Sequence, residues 1–172
     1  MIVINNIDQL RRQIQDWRSH NETIAFVPTM GNLHDGHLSL VEIAGKKATR
    51  VVVSIYVNPL QFSPDDDFES YPRTLDADLD KLERSGVDLI FTPDTSIIYP
   101  DGELKSSFVD VPALSQIIEG KFRPAFFRGV ATVVLKLFNM VQPDIAVFGE
   151  KDFQQLLIIK RLVKDLNLPI HI

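Results

Sequence analysis

At 172 residues, with 45% apolar and 24% charged side chains, the chain has the length of one domain and enough apolar surface for a proper core. A formal net charge of −5 excludes the broad basic footprint that nucleic acid or an anionic membrane requires, so any polyanion must be small and held locally. The lack of cysteine excludes disulfides, and MIVINNIDQLRRQ contains no secretory h-region, so the expectation is a cytoplasmic protein without a membrane span.

Residues 2–4 read as a short first strand, and Asn5 or Asn6 can cap a helix with Ile7, Leu10, Ile14 and Trp17 on one face. Residues 24–27 are an apolar run cut off by Pro28, the form of a buried strand ending at a turn. Gly31 and Gly36 bracket a polar loop, after which Leu38, Val41, Ala44 and Ala48 fall at helical spacing. Strand, glycine-bearing loop and helix open a βαβ unit, whose helix N-terminus offers unpaired N–H groups and partial positive charge to an anion.

His34 and His37 stand at that N-terminus. If the helix begins near Asp35, their spacing stacks both imidazoles on one face, with Gly36 leaving the backbone open to a ligand. Neutral imidazoles donating N–H groups to a phosphate suit a reaction that builds negative charge on phosphorus. Zinc is the other reading of H-x-x-H, but a structural site needs two further ligands; there is no Cys, and His20 and His171 lie in unrelated segments. Neither a P-loop nor a G-x-G-x-x-G fingerprint is present.

Residues 51–57, VVVSIYV, have the near-continuous apolar character of a strand buried on both faces. An irregular stretch follows over 58–73, in which Asp65, Asp66 and Asp67 read as a solvated loop. Asn58 and Gln61 come straight after the buried strand, where open α/β sheets place their ligands. Leu75, Leu79 and Leu82 mark an amphipathic helix ended by Gly86, with Asp78 on its solvated face. A strand is expected over 87–91, a loop over 100–107, a short edge strand over 108–111, and a brief helix near Leu114, Ile117 and Ile118. Gly129 leads into a helix carrying Val130, Val133, Val134, Leu137 and Phe138; Val133 and Val134 are core positions by periodicity. A strand over 145–148 then ends in Gly149, Glu150, Lys151 and Asp152, a helix runs over 153–166, and a last apolar run starts at Pro169.

This alternation predicts a doubly wound parallel α/β sheet of the Rossmann-like type. Polar clusters at 30–37, 58–61 and 149–155 each follow a buried strand, and a parallel sheet gathers such strand ends into one cleft.

PTMGNLHDGH (28–37), NPLQF (58–62), YPRTLDADLDKL (71–82) and FGEKDFQQ (148–155) resemble signature segments of the pantothenate synthetase (pantoate–β-alanine ligase) family. That family belongs to the nucleotidyltransferases related to class I aminoacyl-tRNA synthetases. The resemblance implies ATP-dependent condensation of pantoate with β-alanine through a pantoyl adenylate, with Mg²⁺ present. It implies Met30, His34, Gly36, His37, Gly149, Lys151 and Asp152 at ATP, with His34, His37 and Lys151 catalytic. Gln61, Gln155, Val133 and Val134 are implied at pantoate, with Asn58 beside them. Asp78 matches an acidic position that some members use near the magnesium ion, and members commonly form homodimers.

There are two departures: Phe126 occupies the usual position of a His, and Ala77 that of a neighbouring acid. The resemblance spans about the first two thirds of a typical member, which continues with an S-S-R-N segment and a small lid domain. The expectation is therefore a nucleotide- and pantoate-binding domain over 1–172, without that lid and poorly active alone. Two other readings remain at this point: another adenylyl-transferring enzyme acting on a different small acid, and an inactive ATP-binding fragment.

Overall fold

Five parallel strands lie side by side in the order β1-β4-β3-β2-β5. They belong to a computed structural model that describes residues 1–63, 68–123 and 125–172; Asp65, Asp66 and Asp67, expected as a solvated loop, and Pro124 lie outside the described residues. In chain order the elements are β1 (Ile2–Ile4), α1 (Ile7–Ser19), β2 (Ile24–Thr29), α2 (Asp35–Lys47), β3 (Arg50–Ile55) and α3 (Leu75–Arg84). They continue with β4 (Leu89–Phe91), α4 (Thr95–Ile98), α5 (Pro112–Ser115), α6 (Phe126–Val141), β5 (Ile145–Ala146) and α7 (Phe153–Asp165).

The apolar runs of β2, β3 and β4 form strands because each is covered on both faces, whereas β1, at the sheet's edge, leaves Ile2 and Val3 exposed. Phe26, Val52, Leu89 and Phe91 point to a core shared with α1, α6 and α7, while Ala25, Val27, Val53 and Ile90 point to one shared with α2 and α3. The doubly wound sheet expected from the alternation is present. Its chain path runs from β2 to β3 to β4 in one direction and then returns to place β5 on the other side of β2. The crevice at such a reversal, beyond the carboxyl ends of β2 and β5, is where an open α/β sheet accepts a ligand.

Asn6 is the cap of α1, its side chain accepting the Gln9 N–H at 2.9 Å. Residues 108–111 do not form the expected edge strand. The Val109 N–H donates to Thr132 Oγ1 on α6 at 3.0 Å and the same hydroxyl donates back to the Val109 carbonyl, so a side chain takes the bonds a neighbouring strand would supply. The brief helix expected near Leu114 is split into α5 and a 3₁₀ turn, Ile118–Lys121. Gly120 is required in that turn, since a Cβ there would lie 1.9 Å from the Ser115 carbonyl oxygen. The last apolar run adds a single parallel bridge, His171 beside Ile145.

Candidate functional site

The β2–α2 turn is built so that each histidine has one ring nitrogen committed to the backbone. His34 is the cap of α2, in extended conformation, and its Nδ1 accepts the Gly36 N–H at 3.0 Å. His37 Nδ1 accepts the His34 N–H at 3.4 Å, closing a reciprocal capping box. A backbone N–H only donates, so in the neutral rings Nδ1 is the acceptor on both and the proton sits on Nε2. The rings lie 4.2 Å apart between centroids. Burial, then the neighbouring His34, holds the His37 pKa below the ordinary histidine value, which favours the neutral donor form. Gly36 is needed for a reason the sequence did not reveal: a Cβ there would come within 2.8 Å of the His34 ring.

Asp78 departs from the solvated helix position expected for it, because it is fully buried. Its carboxylate accepts the Asn32 and Leu33 N–H groups, each at 2.8 Å, and the Thr74 hydroxyl at 3.0 Å. Lys81, one turn along α3, donates to the Leu33 carbonyl at 2.6 Å. Together α3 and these two side chains fix the loop that delivers His34, and they do so from behind it.

A cavity of about 170 Å³ opens where the strand ends converge, lined by Met30, His37, Gln61, Val133, Val134, Asp152 and Gln155 together with Pro28, Thr29, Tyr56, Tyr71, Val130, Leu137 and Phe148. Its scale is close to the ~150 Å³ that accommodates a benzene-sized molecule. Three clusters that are far apart in sequence therefore share one space. Val133 and Val134 are each 5% exposed and both pack in the core and line the cavity. Lys151 lies with Asp152 in an adjoining basin of about 560 Å³ that also contains Arg123 and Phe126. At the Phe126 position the Arg123 guanidinium stacks on the aromatic ring, 4.2 Å from its centroid, and donates to the Gln61 carbonyl at 3.1 Å.

The remaining expected residues fall around this space. Gly36 and Gly149 sit in the two turns beside it, and His34 leans on His37. Asn58 is 1% exposed and is not among the lining residues; its side chain bonds to Gln61, Gly129, Leu60 and Tyr99. Of the adjacent pair Gln154 and Gln155, Gln154 is consumed by the Leu114 and Ile117 carbonyls and the Glu119 N–H, and Gln155 faces the cavity. Tyr56 and Tyr71 are cavity residues that sequence reasoning missed. Tyr56 had a visible signal, a phenol near the carboxyl end of a buried apolar run; burial pushes its pKa up to about 12.

A family model described as Pantoate-beta-alanine ligase matches residues 2–172. Pantothenate synthetases of Shewanella oneidensis and Shewanella woodyi are 55% and 57% identical over 172 residues, the whole of this chain and 61% of each relative. The chain thus spans about three fifths of the length of the curated relatives it matches. A solved pantothenate synthetase from Thermus thermophilus superposes with a TM-score of 0.92 at 46% identity, over 99% of this chain and 60% of that one. A pantoate-beta-alanine ligase from Francisella tularensis, solved in complex with beta-gamma ATP and β-alanine, superposes with a TM-score of 0.91 at 41% identity, over 99% of this chain and 65% of that one.

Proposed function

The chain belongs to the pantoate–β-alanine ligase family, and from that premise we propose that it is the nucleotide- and pantoate-binding domain of an enzyme that joins pantoate to β-alanine using ATP. The observation that carries this reading is the convergence of Gln61, Gln155, Val133 and Val134 with His37 and Asp152 around one small cavity at the sheet's reversal point. Apolar walls with a few fixed polar groups suit a branched hydroxy acid.

In the first step a carboxylate oxygen of pantoate bonds to the α-phosphorus of ATP and pyrophosphate leaves, giving pantoyl adenylate. In the second the neutral amine of β-alanine bonds to the acyl carbon, AMP leaves, and the nitrogen loses a proton. The protein supplies orientation and charge stabilisation. Gln61 and Gln155 hold the acid; the Nε2–H groups of His34 and His37, with the Lys151 ammonium, meet the charge that develops on phosphorus. Met30, Gly36, Gly149 and Asp152 frame the nucleotide.

A magnesium ion would be held here by the triphosphate of the nucleotide more than by side chains of this chain. Among the described residues no group of three His, Cys, Asp or Glu side chains is placed to hold a metal, and Asp78 is committed to the loop amides. When bound, the ion neutralises phosphate charge. A homodimer and a cytoplasmic location complete the proposal; among the described residues no helix is long and apolar enough to cross a membrane.

Calorimetry with ATP and with pantoate, followed by a pyrophosphate-release assay, tests this reading. Both ligands should bind, and pyrophosphate should appear with pantoate and not with other small acids. Release with a different acid alone would assign the chain to another adenylyl-transferring reaction, and no binding of either ligand at millimolar concentration would overturn the proposal.

A further inference from the structure

Gln61 lines the cavity while resting on a polar chain that reaches away from it. Asn58 Nδ2 donates to Gln61 Oε1 at 3.1 Å and to the Gly129 carbonyl at 3.2 Å, and Asn58 Oδ1 accepts the Tyr99 hydroxyl at 2.9 Å and the Leu60 N–H at 3.3 Å. The Leu60 N–H can only donate and the Gly129 carbonyl can only accept, so the Asn58 amide has a single consistent orientation. That orientation presents N–H groups to Gln61, which must answer with its oxygen. The Gln61 Nε2–H₂ group is left over, and among the described residues no acceptor pairs with it.

Tyr99 is suited to hold the outer end of the chain. It is 2% exposed, burial pushes its pKa well above the ordinary tyrosine value, and its hydroxyl therefore keeps its proton. The Lys136 ammonium, on α6, lies 5.2 Å from the Tyr99 ring centroid and donates to the Ile98 carbonyl at 2.9 Å. There is no slack between α6 and the 3₁₀ turn Pro59–Gln61: a Cβ at Gly129 would fall 2.4 Å from the Leu60 carbonyl oxygen.

We propose that Tyr99, acting through Asn58, is a positioning residue that fixes the Gln61 side chain as a hydrogen-bond donor toward the cavity, so that the pocket accepts a ligand with an oxygen acceptor there and rejects the same skeleton carrying an ammonium. This deepens, and rests on, the reading of the cavity as the hydroxy-acid site. Pantoate offers hydroxyl and carboxylate oxygens to the Gln61 N–H₂. Its 2-amino analogue would set N–H against N–H in a site that holds a fixed donor, and such mismatches discriminate strongly.

The test has one arm without ligand and one with it. In ¹⁵N-labelled protein the Asn58 side-chain N–H₂ should exchange slowly with solvent and the Gln61 N–H₂ fast, and Tyr99→Phe should speed Asn58 exchange about tenfold, the scale of one net hydrogen bond. By calorimetry Tyr99→Phe should weaken pantoate about 3–10-fold and leave ATP within about twofold. Gln61→Glu, of the same shape but with only an acceptor facing the cavity, should weaken pantoate at least about tenfold beyond Gln61→Ala. Equal exchange of the two amides, equal loss of ATP and pantoate in Tyr99→Phe, or an amino analogue that binds as well as pantoate would overturn the relay. Wild-type protein that shows the exchange pattern and does not bind pantoate would support the relay and refute the substrate.

Discussion

At the amino ends of the strands, charged side chains close on one another and on the backbone. Arg50 reaches Glu22 at 2.7 and 2.8 Å and Asp88 at 2.8 Å, Asp88 accepts the Val51 N–H at 2.8 Å, and Asp144 accepts the Ile24 N–H at 2.8 Å and an Arg18 N–H at 3.2 Å. At the carboxyl ends, His34, His37 and Gln61 each have one polar atom bound on the protein side, which leaves a donor for the other side. The amino edge spends its polarity on the fold. The carboxyl edge uses the backbone to orient groups that each keep a second polar atom for the ligand proposed above, and buried residues such as Asp78 and Asn58 do the orienting.

The largest effect that would sharpen this contrast is expected at the histidines. His37→Ala should slow pyrophosphate release about 10²–10³-fold, the scale for losing one donor to the transition state, with little change in the unfolding midpoint. A rate within threefold of wild type would remove His37 from the chemistry. Asp78→Ala should cost about 2–4 kcal/mol in urea unfolding, because two loop N–H groups lose their buried acceptor, and should also weaken ATP by loosening the His34 turn. If ATP affinity survives the loss of stability intact, the loop does not depend on Asp78 for its placement. Asp88→Ala, at the other edge, should cost about 1 kcal/mol and leave both ligands unaffected; altered pantoate affinity there would break the division between the edges.

The smallest expected effect is a pH dependence. Folding lowers the His37 pKa from 6.5, chiefly through burial, so the unfolded chain binds more protons over the interval below 6.5. This contribution to stability is fully present above pH 6.5 and is lost as pH falls through the lowered value. The His37 ring-proton shift, followed by NMR, should titrate below 6.5, and His34→Ala should move that titration upward.

The sheet was legible because its central strands are apolar runs and parallel pairing needs both faces covered. Their ends were not, since Pro28, expected to cut off the second strand, lies within β2 opposite Ser54, and β5 stops at Ala146, short of the expected 148. The strand expected at 108–111 failed where a distant hydroxyl, Thr132, replaced a strand partner, which no local pattern records. Asp78 misled for a similar reason: a carboxylate on an amphipathic helix reads as solvated until the loop amides that enclose it are known. Local spacing and resemblance pointed to His34, His37, Gln61 and Gln155, whereas the outer support, Asp78 on the His34 loop and Tyr99 on Asn58, is non-local. Gln154 and Gln155 make the point most simply, being identical neighbours whose roles are separated only by the helix rotation and by what each meets.

The central claim is that the carboxyl edge, at the β2–β5 reversal, is where the acid binds. Titrating pantoate into ¹⁵N-labelled protein while following side-chain amide and backbone resonances tests it directly. Saturable shifts at the Gln61 and Gln155 side-chain amides and at Val133 and Val134, with Arg50, Asp88 and Asp144 undisturbed, are the predicted result. Shifts concentrated around Arg50, Asp88 and Asp144 with Gln61 and Gln155 unmoved would contradict it.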